Sequence, residues 1–511
     1  MDDLEEFARA KFYINGIQYL PIKYKYNDYS EVAVIRSVQD YEGDIVIPNR
    51  VKCLGEYYEV TKIGENAFQD CKELKSVKLP KGLGAIGNEA FRGCISLSSI
   101  SLPSNLEVIC DRAFEDCVRL QTVKLDKQLR GIGCHSFANC IELSHITLPA
   151  NLEQLGDEAF AECCNLSVVK LPDSLLNLGS DIFRGTRFWS NLPDGVVYKR
   201  NYLLGCKGKA PEHLVLQEGT KLIADKAFYQ SENLLSVECS SELINIGASA
   251  FESCKTLQKV VFNDNLRTLE KNSFSHCEQL TAVSFGQHLN TIGDRTFEGC
   301  TCLECIALPL ELIKIGRNAF SDTLFGRRQT DDIVYMNNYL LGCKSDEVKE
   351  VEVKAGTILI ADYAFMDTSG LKTLVLPYGL QVIGECAFFA AQIKHLVIPD
   401  GVIEIGPQAF GRCSELESVY LPASLKVLNV ASFFYTKNLS SISVNAVNPP
   451  HVVDNLNLPG FISGEELYKS THYNERILYV PHGAKDAYRK AEYWKYFRRI
   501  IEMPEDNNSV T

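Results

Sequence analysis

The chain has 511 residues, 46% of them hydrophobic and 23% charged, with 19 cysteines and a formal net charge of −13. This balance fits a protein that buries a core; length alone would predict about three or four ordinary domains, and the acidic excess excludes the concentrated basic surface of a nucleic-acid clamp. No run approaches the roughly eighteen consecutive apolar residues that span a bilayer, and Met1-Asp2-Asp3-Leu4-Glu5-Glu6 lacks the basic and apolar regions of a secretory leader.

Residues 1–60 carry short β-like runs broken by turn signals at Asn15-Gly16, Gly43-Asp44 and Gly55, which predicts a strand-rich cap over an otherwise open edge. From there to 444 a single register takes over. Phenylalanine recurs every 23 residues at Phe68, Phe91, Phe114, Phe137, Phe160 and Phe183, again from Phe228 through Phe251, Phe274 and Phe297 to Phe320, and continues at Phe365, Phe388, Phe410 and Phe433. A fixed period of this length predicts stacked coils that bury a core only together. The unit reads I-G-x-x-A-F-x-x-C-x-x-L-x-x-V-x-L-P. Five residues before each Phe stands Ile or Leu, from Ile63 to Leu428, the mark of an inward column. The Gly that follows (Gly64, Gly87, Gly133) suits either a positive φ or close approach of two coils. The run Leu74-Lys75-Ser76-Val77-Lys78-Leu79-Pro80 alternates like a strand that proline then ends. Each coil is thus a strand, a Pro-marked corner, a second short extended segment ending at I-G, and a short helical turn around A-F-x-x-C.

The interval stretches to 45 residues twice, after Phe183 and after Phe320. Val196 to Lys207 (VVYKRNYLLGCK) recurs 137 positions later as Ile333 to Lys344 (IVYMNNYLLGCK), so a 137-residue block is duplicated, and each copy predicts a hairpin-containing double coil, near 187–227 and 324–364. Asn448-Pro449-Pro450 breaks the pattern. Residues 445–503 predict a closing cap, with a strand Ile477 to Val480 and a helix from about Gly483 to Arg499 whose Tyr488, Ala491, Trp494 and Phe497 share one face. Residues 504–511 read as a flexible tail.

The repeat unit resembles the leucine-rich repeat of BspA-like bacterial proteins over nearly the whole chain. The segments Gly219 to Phe228 and Gly356 to Phe365 (G-T-x-x-I-A-D-x-A-F), and the closing Tyr479 to Trp494, resemble parts of such proteins too. The fold class expected is therefore a leucine-rich-repeat solenoid, β-rich with short helical turns, of about 15–17 coils with a strand-rich N-terminal cap and a strand-helix C-terminal cap. The resemblance implies a surface-exposed or secreted protein acting in adhesion to host proteins or other cells. The missing leader keeps a cytoplasmic placement, with a scaffold role, as the alternative.

Several motifs have plainer explanations. Nine units place Cys three residues after Phe (Cys71, Cys94, Cys117, Cys140, Cys163, Cys254, Cys277, Cys300 and Cys413), and others place Thr, Ser or Ala there, so the slot selects a small buried side chain. Cys302-Leu303-Glu304-Cys305 has the spacing of a metal site, but the register points Cys300 inward and Cys305 outward, and no second pair completes it. Gly82-Leu83-Gly84-Ala85-Ile86-Gly87 matches a dinucleotide fingerprint only because Ile86-Gly87 is the repeat's own. The basic stretch Lys485, Arg489, Lys490, Lys495, Arg498, Arg499 reads as the solvated side of the cap helix. No motif proposes a catalytic centre, a cofactor or a metal, so a carbohydrate-active solenoid enzyme is the weaker alternative.

The residue between V and L in V-x-L faces outward on each coil. It is Lys78, Ser101, Lys124, Thr147 and Lys170 early in the chain; Glu238, Val261, Ser284 and Ala307 follow the first hairpin; Val375, Val397, Tyr420 and Ser443 follow the second. Lysines on alternate coils avoid direct like-charge neighbours, and an exposed apolar stripe invites a partner. Lys78, Lys124, Lys170, Val261, Val375, Val397 and Tyr420 are therefore the candidate partner-binding residues, for a protein or glycoprotein ligand of a monomeric, non-enzymatic recognition protein.

Overall fold

The computed structural model describes residues 11–22, 31–366, 368–453 and 476–504. Residues 1–10 of the expected N-terminal cap, 454–475 of the C-terminal cap and 505–511 of the expected tail lie outside the described residues. The fold is a β-solenoid of about 18 turns of some 23 residues. The chain forms two compact units, Met1–Leu266 and Arg267–Thr511, each built by the same rules.

The turn around A-F-x-x-C takes a specific form set by its amides. In the first described repeat, the amides of Asn66, Phe68 and Asp70 donate forward to the carbonyls of Asn88, Ala90 and Arg92 in the next coil, at 2.7–2.9 Å. The amides between them, Ala67, Gln69 and Cys71, donate backward within their own coil to Gly64, Asn66 and Phe68. Backbone that alternates in this way needs left-handed residues, and two stand in nearly every coil, two before and two after the Phe. Asn66 and Asp70 lie at φ 56° and 57°, Arg112 and Asp116 at 55° and 61°, and in the second unit Asn272 and His276 at 56° and 57°. Most are not glycine, so each coil carries local strain that the intercoil hydrogen bonds offset.

That geometry stacks the phenylalanines. In the first unit Phe68, Phe91, Phe114, Phe137, Phe160 and Phe183 lie with ring centroids 4.9–6.0 Å apart and planes within 10° of parallel, an offset stack of fully buried rings. Beside it the thiols of Cys94, Cys117, Cys140 and Cys163 each donate to the carbonyl of the Phe one coil back, at 3.0–3.2 Å. Threonine in the same slot does something different. The Thr186 and Thr323 hydroxyls donate to the Phe carbonyl of their own coil and accept the amide three residues on, capping short helices at Arg187–Ser190 and Leu324–Arg328. At these two positions threonine stands where the stack is about to be left for a hairpin.

The second extended segments form parallel ladders through Ile86, Ile109, Ile132, Leu155 and Leu178. Of the two roles open to the repeat glycine, close approach is the one observed: a Cβ at Gly156 would sit 2.5 Å from the Cys134 nitrogen, and one at Gly179 would sit 2.3 Å from the Asp157 nitrogen. The hairpins Gly195–Lys199 with Tyr202–Lys207, and Ile333–Met336 with Tyr339–Cys343, are antiparallel. Their second strands supply a rung each, Tyr202-Leu203 against Leu222-Ile223 and Tyr339-Leu340 against Leu359-Ile360. The stack closes behind them through one aspartate per copy. Asp225 donates its amide to Leu178 O and accepts Ala248 N on Oδ1; Asp362 donates to Ile315 O, accepts Glu385 N, and lies 3.3 Å from Lys314 Nζ.

At the N-terminal side, Phe12–Ile14 and Ile17–Ile22 form a hairpin, and Glu31–Val34 runs parallel to Glu56–Ile63. At the other end the helix expected from about Gly483 to Arg499 is only Lys485–Lys490. Ala491 turns extended and ends it, Tyr493 at φ 64° leads into a 3₁₀ turn at Trp494–Tyr496, and Arg499–Glu502 is a strand parallel to Ile477–Val480. Tyr488, Trp494 and Phe497 are nonetheless buried, with Tyr488 Oη bonded to Ala446 O and Trp494 Nε1 to Pro450 O.

Gly156→Ala should lower the unfolding free energy by about 1–3 kcal/mol, because its new methyl meets backbone that cannot yield. Gly82→Ala, with nothing within 4 Å, should change it little; equal effects in denaturant unfolding would contradict the close-approach reading. Burial raises the Asp362 carboxyl to about 6, against the opposing pull of Lys314 and the Glu385 amide. The folded state thus holds this proton to higher pH than an unfolded carboxyl near about 4, so the stability it contributes is full below that value and is lost as pH rises through 6. Asp362→Asn, which cannot ionise, should therefore gain on the wild type in unfolding midpoint between pH 4 and 6. A difference that does not vary with pH would contradict this.

Candidate partner-binding face

The V-x-L segments form short parallel strands whose middle residue is buried, as in Ser99–Ser101, His145–Thr147 and Val168–Lys170, or half-buried, as at Val123, Ile306 and Leu374, and whose flanking residues face solvent. Inward residues such as Ile100, Ile146 and Val169 belong to the same core as the phenylalanines. Period-two alternation then places the next residue outward. All seven candidate residues lie on this outward column.

The strand pairing brings some of them together and separates others. Lys78 and Lys124 flank Ser101 on one four-stranded sheet, which begins with Gly43–Val46. Lys170 pairs with Thr147 on a separate two-stranded sheet. Val261 follows Val215 and Glu238 on a three-stranded sheet. In the second unit Val375 pairs with Glu352, while Val397, Tyr420 and Ser443 are successive rungs of a five-stranded sheet. Val261, Val375 and Val397 are 43%, 50% and 63% exposed, whereas Tyr420 is half-buried. Burial raises the Tyr420 phenol above its usual value, and the charge of Asp400 adds to the shift.

The structure adds members that reading along the sequence missed. Val46 precedes Lys78, Val215 precedes Glu238, Glu352 precedes Val375, and Tyr479 follows Ser443. Val215 and Glu352, on strands His213–Val215 and Glu350–Glu352, fall inside the 45-residue intervals, where counting forward from Phe183 and Phe320 passes them by; counted back from Phe228 and Phe365 they stand at the same 13-residue interval as Lys78 before Phe91. The column beside it also carries chemistry: the His213 and His395 imidazoles are hydrogen-bonded through Nδ1 to Ser236 and Ser418 of the next rung, at 2.8 and 2.9 Å.

The cysteines separate by environment. Burial pushes the ladder thiols up, to about 12 at Cys254, Cys300 and Cys413, so they act as neutral donors to backbone carbonyls. Cys305 is exposed on the outward strand face and Cys300 is buried. Among the described residues no group of three or more His, Cys, Asp or Glu is placed to hold a metal ion, and no helix is long and apolar enough to cross a membrane.

The family model for the BspA-type leucine-rich repeat region matches residues 61–188, 206–325 and 337–449, in six copies. No curated protein sequence matches the chain. Among solved structures it is similar to a leucine-rich repeat protein from Bacteroides ovatus, at 21% identity over 96% of this chain and all of that one, with a TM-score of 0.30. It is also similar to a leucine-rich cell surface protein from Faecalibacterium prausnitzii, at 19% identity over 85% and 94% of the two chains (TM-score 0.31), and to the pneumococcal vaccine antigen PcpA, at 18% identity over 97% and 99% (TM-score 0.32). With the family model spanning well over half of its length and the repeat's fixed positions each accounted for by packing, the chain belongs to the BspA-type leucine-rich-repeat family.

Proposed function

We propose that this protein is a non-enzymatic recognition protein that binds a protein or glycoprotein on a cell or host surface through the outward strand face. The observation that carries this is the run of exposed valines, Val375 and Val397 above all, on strands whose middle residues, half-buried Leu374 and buried Leu396, pack inward against the core. A solvent-facing β-branched column next to half-buried Tyr420 offers apolar area to a partner at little conformational cost. In the first unit Lys78, Lys124 and Lys170 supply a basic complement on an otherwise acidic chain, suited to steering an acidic or sialylated surface. A surface location and an adhesive role accord with the resemblance to BspA-like proteins, and the repeat tolerates any outward residue without losing its core, so specificity can vary on one scaffold.

Changing Val375, Val397 and Tyr420 to Ser should weaken capture of the purified protein on target cells by about tenfold or more while leaving its thermal unfolding nearly unaltered. Undiminished capture would remove this face from consideration. Protease treatment of intact producing cells should cleave the protein; its survival there, with cleavage only after lysis, would favour an intracellular scaffold instead.

A further inference from the structure

The two copies of the duplicated block differ at one place in a way that opens a cavity. In the first copy, Trp189 on the short helix after Thr186 packs over the hairpin: a Cβ at Gly205 would lie 3.6 Å from its indole, Leu204 and Gly205 beneath it are buried, and only about 10 Å³ remains between Asp181, Ile182, Phe183, Arg184, Trp189 and Leu204. The 137-residue offset maps these six residues onto Asn318, Ala319, Phe320, Ser321, Gly326 and Leu341. All six line a cavity of about 380 Å³ in the second copy.

Three of the six have shrunk: Trp to Gly, Ile to Ala and Arg to Ser. The backbone around them has not collapsed to compensate. Thr323 Oγ1 accepts the Gly326 amide at 3.0 Å, as Thr186 accepts that of Trp189 at 3.1 Å. Lys344 Nζ holds the carbonyls of Gly326 and Gln329 at 3.0 and 2.8 Å, as Lys207 holds that of Trp189 at 3.2 Å. The helix is thus anchored in the same way with its indole deleted, and Leu341, Gly342 and Phe325 become half-exposed where Leu204, Gly205 and Phe188 are buried. Such a void forfeits packing energy, and its size falls within the range of ligand pockets.

We propose that this cavity receives a tryptophan-type aromatic side chain from a partner polypeptide. The shape argument comes from the molecule itself, since the fold fills the equivalent space in its first copy with an indole. The charge argument is that Ser190 and Asn191 become Arg327 and Arg328. Arg328 pairs with Glu304, while exposed Arg327 lines the cavity mouth, which suits an aromatic residue flanked by Asp or Glu. Buried aromatic anchors of this kind dominate interface energetics. The proposal rests on the recognition reading above but uses none of the seven strand-face residues.

The test is display selection of random peptides on the full-length protein, counter-selected on Gly326→Trp. A Cβ at 326 would sit 3.2 Å from the Phe320 carbonyl, a tight fit that the first copy accommodates at Trp189, and near-ultraviolet circular dichroism checks that the variant is folded. Ala319→Ile, which narrows the cavity from the opposite wall, serves as a second variant should Gly326→Trp fail to fold. The expected result is a set of peptides sharing an aromatic residue, chiefly Trp, with acidic neighbours. They should bind the wild type at least tenfold more tightly than either variant, lose binding when their aromatic residue becomes Ala, and bind the Val375, Val397 and Tyr420 to Ser protein unchanged. Peptides without a shared aromatic residue, or equal binding to a folded cavity-filling variant, would overturn the proposal. So would saturable binding of N-acetyltryptophanamide with no peptide selected, which would make the cavity a small-molecule site. Loss of peptide binding in the strand-face variant alone would likewise overturn it while supporting the strand face.

Discussion

Every second amide of the Phe-centred turn points along the stacking direction, and the remaining architecture follows from that alternation. Left-handed residues two positions before and two after the Phe make it possible: Asn66 and Asp70, Arg112 and Asp116, Asn272 and His276. A coil that folded alone would leave the forward amides of Asn66, Phe68 and Asp70 without partners and carry the left-handed strain uncompensated; its neighbour resolves both at once. The same step brings successive phenylalanines to stacking distance and sets each Cys thiol against the carbonyl one coil back. Stability is therefore a property of neighbouring pairs of coils.

A stack of this kind has to be interrupted without being broken, and the duplicated block shows how. Threonine replaces cysteine at the last regular slot, turning its hydrogen bond back onto its own coil and starting a short helix. The hairpin then leaves the stack while lending one rung to it, and Asp225 or Asp362 ties the returning coil to the one before the departure. Having paid for this device once, duplication gave the chain a second copy whose helix and hairpin were free to diverge, and Trp189 and Gly326 mark that divergence.

Much of this was legible in the sequence because packing constraints repeat. The 23-residue Phe interval, the Ile or Leu column and the V-x-L alternation each specify a buried atom set, and each appears where the register places it. The 137-residue offset likewise located both hairpins. The left-handed pairs were not legible, since residues as different as Glu89, Arg112, His135 and Tyr363 occupy one of the two positions: the backbone ladder imposes the conformation and the side chains report little of it. The glycine of I-G left two explanations open, and only coordinates show the neighbouring backbone that excludes a Cβ. The C-terminal helix reads too long in the sequence because Tyr488, Trp494 and Phe497 keep a helical spacing although the backbone turns extended at Ala491 between them. Of the candidate face, the regular rungs are countable from either neighbouring Phe, Val215 and Glu352 only by counting back thirteen residues from Phe228 and Phe365, and Tyr479 lies beyond the last repeat Phe. The cavity needed the two copies to be compared residue by residue in space.

Function in this protein is carried by what the ladder does not constrain: outward strand residues and the divergent hairpin coil. The central claim is that the Phe-centred turns are intercoil ladders as firmly bonded as the strands, and amide hydrogen exchange of the intact protein tests it directly. Peptides covering 134–141 and 270–277 should exchange as slowly as those covering the strand segments 145–148 and 282–284. Exchange within seconds, as in ordinary surface turns, would contradict the account.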